Sequence, residues 1–375
     1  MPERYAHVLV PGDVVSADSR SAVLMVVREL VRAHHAHGRE GAIVASAAAV
    51  DGDRRDEVLP LLRPNAGHSL PARAWTVLEG RLLGHRPSYA RAYRGLSALT
   101  GYDVVLVHNR PEGIAAVPPD ALRVLYLHND ALRLHSRREL AHLSARTDLV
   151  VCVSQALADQ LPDELRTPRA VVLNGVDTEV FHPLDRSPEE GPPTVLYCGR
   201  IIETKGVHLL VEAAARLRHL PFRVRVLGAG DTGARLSRYE RRLREDVARF
   251  GLEDRITFER SLPRAEIPVA MRRSDVLAVP SAWPDPCPLT LLEGMSSGLA
   301  VVAARTGGIP EVGGAACRYH EVGDVDALAH QLEAVLSDAD LRADLGRAAR
   351  ARAGELTWAT AEQTLAAAVA ARAAS

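Results

Sequence analysis

The chain has 375 residues, 47% of them apolar, and a formal net charge of −1. That suffices for two domains of ordinary size with large cores. No global basic field for nucleic acid is expected at that charge, and the sequence read along its length leads us to expect neither a bilayer-spanning apolar run nor an opening signal peptide. The cysteines, Cys152, Cys198, Cys287 and Cys317, lack any Cys-x-x-Cys spacing, so the reading is a reduced, cytoplasmic protein without a zinc site.

Residues 7–11 read as a short apolar strand ending in Gly12-Asp13, followed by a helical pattern from about Ser19 to His37 and a second strand from Gly41 to Ser46. Strand, loop, helix, strand opens a parallel α/β sheet, and such sheets bind ligands at the carboxyl ends of their strands. Asp51-Gly52-Asp53 sits in a charged loop with no strand leading into it and reads as solvated surface. Residues 63–94 carry six arginines against one acid, Glu79, interleaved with Trp75, Leu78, Leu82, Leu83, Tyr89 and Tyr93. The structural reading is a solvated helix pair. The functional one is a basic, partly apolar patch for an anionic acceptor or a membrane surface. Strands at Val104–Val107 and Arg123–Leu127 deliver His108-Asn109 and His128-Asn129 to one edge of the sheet, which favours a site over two isolated core histidines. Two more strands, Leu149–Val153 and Ala170–Leu173, precede Asn174-Gly175-Val176-Asp177.

Asp185 to Pro193 reads as a linker. A strand at Thr194–Cys198 leads into Gly199-Arg200, and a helix is expected to open at Lys205-Gly206. Lys205 is the only lysine among 46 Lys plus Arg. A guanidinium can grip phosphate oxygens by a fork, and an ammonium supplies a compact charge. Arg223–Leu227 is a strand ending in Gly228-Ala229-Gly230, which suits backbone approach to a nucleotide. Arg235–Arg249 reads as a solvated helix, and Arg255–Phe258 as a strand before Glu259-Arg260. The apolar run Val276–Val279 then enters a stretch with prolines at 280, 284, 286 and 288. Pro288 is placed as the first helical residue, so the free N–H groups at Leu289 and Thr290 and the positive dipole end face out of the strand end. Asp285 and Glu293 flank this corner with seven residues between them, a site for an anion bordered by hydroxyls. Residues 324–354 read as helical, and Trp358–Ala373 as a terminal helix.

The stretch 280–295 resembles the acid-x7-acid motif of retaining glycosyltransferases of family 4, which have the two-domain GT-B fold. Gly199-Arg200 with Lys205-Gly206 is similar to the family's Gly-Arg-x4-Lys-Gly, and Asn174-Gly175-Val176-Asp177 to its interdomain signature. Gly298, the strand Ala300–Ala304 and Gly307-Gly308-Ile309-Pro310-Glu311 also match. The paired His-Asn-Arg-Pro and His-Asn-Asp resemble the spore-coat-associated branch. The chain departs from the family pattern at Asp285-Pro286-Cys287-Pro288, where Glu-Pro-Phe-Gly is usual. It departs again at Gly12, where a Gly-Gly pair is common, and at Arg260, where Gly is common.

The resemblance implies an α/β chain of two Rossmann-like, doubly wound domains facing across a cleft. Residues 1–183 would form the acceptor domain, 184–193 the linker, 194–355 the nucleotide-sugar domain and 356–375 a helix returning to the first domain. It implies retaining, metal-independent transfer of a hexosyl or N-acetylhexosaminyl group from a nucleoside-diphosphate sugar, UDP-sugar foremost, to a hydroxyl of an acceptor that it leaves unknown; the basic stretch 63–94 would suit an anionic or membrane-associated one. No cofactor and no enzyme nucleophile are implied. Arg200, Lys205 and the helix start at Pro288, Leu289 and Thr290 would hold the diphosphate, and Glu293 the ribose. Gly12, Gly199, Gly230 and Arg260 would line the donor, Asp285 and His128 would face the sugar, and His108, Asn109 and Asn129 would serve the acceptor. Two other classes share the scaffold: a non-catalytic sugar-nucleotide-binding protein of a surface-assembly pathway, and an epimerase or phosphorylase.

Overall fold

The computed structural model describes residues 3–15, 19, 21–48, 57–63, 78–79, 81–83, 86–184, 191–228 and 236–375. The chain falls into two units, Met1–Asn174 with Trp358–Ser375, and Gly175–Thr357. Gly230 and Asp51-Gly52-Asp53 lie outside the described residues, as does most of the arginine-rich stretch before Arg86.

The first unit is built on a seven-stranded sheet. Its strands are β1 (Arg4–Val8), β3 (Glu40–Val44), β5 (Glu57–Leu59), β6 (Val104–His108), β7 (Leu122–Leu127), β8 (Leu149–Cys152) and β9 (Arg169–Val171), and a separate parallel pair joins β2 (Val14–Val15) to β4 (Ala47–Ala48). The order β5-β3-β1-β6-β7-β8-β9, parallel throughout, is doubly wound, with the reversal between β1 and β6. Parallel strands are covered on both faces and so read as unbroken apolar runs; every residue of β6 is buried. The helix Ala22–Ala36 starts where Ser21 Oγ accepts from Leu24 N. Its Leu24, Val27 and Val31 pack with Leu9, Val15, Ile43 and Ala45. The helix Trp358–Ala373 belongs to this unit and lies against Ala22–Ala36.

The second unit repeats the plan with six strands, β10 (Thr194–Cys198), β11 (Arg223–Leu227), β12 (Ile256–Glu259), β13 (Val276–Val279), β14 (Ala300–Ala304) and β15 (Cys317–His320). The order β12-β11-β10-β13-β14-β15 is again parallel, with the reversal between β10 and β13. Its core joins Val195, Tyr197, Val224, Val226, Val276, Ala278 and Val302 to Val207, Leu210, Leu328 and Leu332 on the covering helices. Val176 and Thr357 bridge where the chain enters and leaves this unit. Asp177 Oδ1 accepts from Glu179 N at 2.9 Å and Val180 N at 3.1 Å, a turn-capping role.

Three local expectations are revised. The turn at Lys205 is a short 3₁₀ segment, Glu203–Lys205, and the α-helix begins at Val207 after Gly206 at φ 73°. A Cβ at residue 206 would stand 1.9 Å from the Pro280 carbonyl oxygen, so this close approach excludes any other residue. Pro288 precedes its helix as the N-cap, with Leu289 the first helical residue. Residues 324–354 form two helices, Val325–Ser337 and Ala339–Glu355, because the Asp338 side chain leaves the first and caps the second at Leu341 N. In the arginine-rich stretch, the short helix Pro87–Ala90 runs into a 3₁₀ segment, Arg91–Ala98. Arg86 there is engaged with Glu139 at 2.7 Å and the Leu134 carbonyl at 2.9 Å, while Leu78, Leu82 and Leu83 are exposed.

Candidate functional site

In the second unit, the named residues gather at the two strand ends that flank the reversal in strand order, where doubly wound sheets bind ligands. After β10, Gly199 N donates to the Leu227 carbonyl at 3.0 Å, and the exposed Arg200 has its carbonyl held by the Tyr197 hydroxyl. The following turn carries Lys205. After β13, the loop 280–288 is tied to that turn, since Ala282 N donates to the Thr204 carbonyl at 2.9 Å. Across this junction Lys205 Nζ donates to Asp285 Oδ2.

Asp285 is 7% exposed, and its backbone is clamped from the other side. Gly308 N donates to the Asp285 carbonyl at 2.9 Å. Gly307, at φ 55°, comes so close that a Cβ there would lie 2.3 Å from the same oxygen. The helix Leu289–Ser296 starts beside this carboxylate without any side-chain cap. Uncapped N–H groups at a helix start suit an anion. One turn along, Glu293 is 5% exposed and pairs with Arg264, whose guanidinium lies 4.9 Å from the centre of the Phe181 ring. Burial, with Glu293 nearby, pushes the Cys198 thiol up to about 12, so it stays an uncharged neighbour. Arg260 is exposed beyond β12.

In the first unit the two His-Asn pairs meet at the end of β6 and β7. Asn109 adopts φ 56°, a left-handed conformation that Asn tolerates, and its Oδ1 accepts the backbone N–H of His128 at 2.7 Å. Tyr126 stacks on the His128 ring with centroids 4.8 Å apart. His108 Nδ1 and His128 Nε2 are 2.8 Å apart, and the other ring nitrogen of His108 lies 3.0 Å from His7 Nδ1. His108 is fully buried with both nitrogens engaged, so its ring has no exposed surface with which to meet an acceptor. Burial holds His128 down to about 3, and holds His108 well below its ordinary value with help from His128 and His7. Both rings are therefore neutral. Asn129 is exposed, and Gly12, at the end of β1, donates its N–H to Ser46 Oγ at 2.7 Å.

Thus Lys205, Asp285 and the start of the Leu289 helix come together in one unit, with Glu293 a turn further on, and His108, Asn109 and His128 come together in the other. Arg264, His7, His34 and Glu362 were not singled out from the sequence. Among the described residues no group of three or more His, Cys, Asp or Glu is placed to hold a metal ion.

The family "Glycosyl transferases group 1" matches residues 184–352, and "Glycosyltransferase Family 4" matches residues 23–180. The chain belongs to the group 1 and family 4 glycosyltransferases. The glycosyltransferase WcaL of Escherichia coli, named for colanic acid biosynthesis, is 30% identical over 233 residues, 56% of this chain and 55% of its own length. The match thus spans little more than half of that relative. Spore coat protein SA of Bacillus subtilis is 27% identical over 282 residues, 67% of this chain and 74% of that protein. Among solved structures, HepE of Anabaena in complex with UDP superposes with a TM-score of 0.71 at 20% identity, over 98% of this chain and all of that one. The fold is GT-B, two Rossmann-like domains in one chain.

Proposed function

We propose that this family member is a retaining glycosyltransferase that moves a hexosyl or N-acetylhexosaminyl group from a UDP-sugar to a hydroxyl of an acceptor, without a metal. The observation that carries the reading is the ion pair of Lys205 with Asp285 beside the uncapped start of the Leu289–Ser296 helix. An ammonium and a row of free N–H groups at one point form a cradle for a diphosphate. The carboxylate paired to that ammonium keeps it in place before the ligand arrives. Arg200 supplies the second cation, so leaving-group stabilisation comes from fixed positive charge and backbone dipoles. Glu293 accepts from the ribose hydroxyls with Arg264 orienting its carboxylate, and His128 takes a hydroxyl of the transferred sugar. The solved relative-fold structure that holds UDP supports the choice of nucleotide.

Incubating the protein with UDP-sugars tests this, with UDP release and the anomeric protons of the product followed by NMR. An α-linked donor should yield an α-linked product or, without acceptor, α-sugar as first formed. A β product overturns retention. UDP-sugar binding with no turnover against any hydroxyl acceptor favours the non-catalytic reading.

A further inference from the structure

A line of buried imidazoles runs through the first unit behind His128. His128 Nε2 meets His108 Nδ1 at 2.8 Å, His108 Nε2 meets His7 Nδ1 at 3.0 Å, and His7 Nε2 meets His34 Nε2 at 3.1 Å. His34 Nδ1 ends the line on Glu362 Oε1 at 3.0 Å. The residues come from β1, from β6, from the turn after β7, from the helix Ala22–Ala36 and from the helix Trp358–Ala373. His7, His34, His108 and Glu362 have no exposed surface.

Proton counting fixes the direction of this line. Each contact between two imidazole nitrogens needs one proton, since two lone pairs or two N–H groups facing each other leave buried polar atoms unsatisfied. Burial pushes His7, His34, His108 and His128 to the neutral form, so each ring carries a single N–H. Burial opposes ionisation of Glu362 as well. The His34 hydrogen bond and the neighbouring charges, including Arg39 at 2.8 Å, outweigh it and hold the carboxyl below the usual range. A carboxylate only accepts, so His34 must carry its proton on Nδ1. His34 Nε2 is then bare and His7 must donate from Nε2. His7 Nδ1 is bare in turn, so His108 donates from Nε2, and His128 donates from Nε2 to the bare His108 Nδ1. No proton is left for His128 Nδ1, and that atom has no hydrogen-bond partner among the described residues; His128 as a whole residue is half-buried.

We propose that Glu362 is a positioning residue which, through His34, His7 and His108, locks His128 in the Nε2–H tautomer, so that His128 presents only a lone pair to its ligand. The partner must then be a hydrogen-bond donor, a sugar hydroxyl or an amide N–H, and not a phosphate or carboxylate oxygen. That last step rests on the proposed placement of His128 beside the transferred sugar; the tautomer itself does not.

The test is long-range proton–nitrogen NMR of the full chain labelled with 15N-histidine, without ligand, assigned with single His→Gln variants. The expected pattern is protonated Nε2 at His128, His108 and His7, and protonated Nδ1 at His34 alone. Protonated Nδ1 at His128, or a mixture of tautomers there, overturns the proposal whatever the enzyme turns out to catalyse. In Glu362→Met the His128 signals should become a tautomer mixture, and kcat should fall about tenfold with UDP affinity unchanged; Glu362→Gln, whose amide oxygen can accept from His34, should restore both. An unchanged His128 spectrum in Glu362→Met also overturns it. If that variant does not fold, the wild-type spectrum still decides. For the ligand half, UDP-sugars with single hydroxyls replaced by fluorine, which only accepts, should include one whose turnover falls tenfold or more; equal use of the whole series overturns that half alone.

Discussion

Lys205 and Asp285, eighty positions apart in sequence, form an ion pair in which both side chains hang from backbone that glycines hold in close contact. Gly206 presses its turn onto Pro280, and Gly307 presses onto Asp285 itself. The pair is thus held in place by the backbone around it, and on the proposed reading little reorganisation would be needed when a diphosphate binds.

Lys205→Arg should lose at least tenfold in kcat although the charge is kept. The pocket holds a side chain that is 23% exposed against a carboxylate that is 9% exposed, and a planar guanidinium is larger and directional. Because Lys205 is the only lysine, mild amine acylation reaches it and the chain terminus alone. UDP should protect against both modification and inactivation. Full activity in protein acylated at Lys205 removes it from the mechanism.

Glu293→Gln should weaken UDP binding by about 1.5–3 kcal/mol, the worth of a charge-assisted hydrogen bond. The same loss should nearly vanish when UDP is replaced by its 2′,3′-dideoxy analogue, since the two changes remove one interaction. Additive losses would place the ribose elsewhere.

Gly307→Ala should destabilise the second unit by about 1–3 kcal/mol, because the residue sits at φ 55° and its new methyl meets the Asp285 backbone. Turnover should fall with it as Asp285 shifts. Denaturant unfolding and activity on the same sample check both, and wild-type values for either contradict the clamp.

Stability should fall steeply in mild acid. His7, His34, His108 and His128 all bind protons less readily in the folded chain, owing first to burial. Below an unfolded-state value of about 6.5 the unfolded chain takes up protons that the folded chain refuses. The stability is thus complete above about pH 6.5 and is lost as pH falls toward the folded values, which for His128 is about 3. Each imidazole contributes a slope of up to about 1.4 kcal/mol per pH unit across that window. Glu362, held below its usual range, adds loss in the same direction at lower pH. An unfolding free energy that stays flat between about pH 7.5 and 5 rules out neutral burial of the four rings.

The two sheets were legible because buried parallel strands are continuous apolar runs, as in Val104–Val107 and Val276–Val279. Asp285 and Glu293 were legible because their spacing is local to one loop and helix. Their partners were not. Nothing near Lys205 in sequence points to Asp285, and Arg264 precedes Glu293 by twenty-nine positions within an ordinary surface segment. The histidine line was harder still. His7, His34, His108 and His128 lie on separate elements, and each alone reads as a satisfied core histidine; only the sheet order, which sets β1 beside β6 and β6 beside β7, brings them into sequence. The break at Asp338 was hidden because helical periodicity runs through it, and only the aspartate's capping of Leu341 stops the first helix.

The most direct measurement is a calorimetric titration of UDP into wild-type protein and into Lys205→Met. If Lys205 holds the diphosphate as proposed, removing the ammonium takes away one charge-assisted contact and leaves the Asp285 carboxylate facing the same anion. Wild-type protein should bind UDP saturably and one to one, and the variant at least tenfold more weakly, with uridine itself bound equally by both. Wild-type protein that binds no UDP, or a variant that binds UDP as tightly as the wild type, would contradict that placement of Lys205.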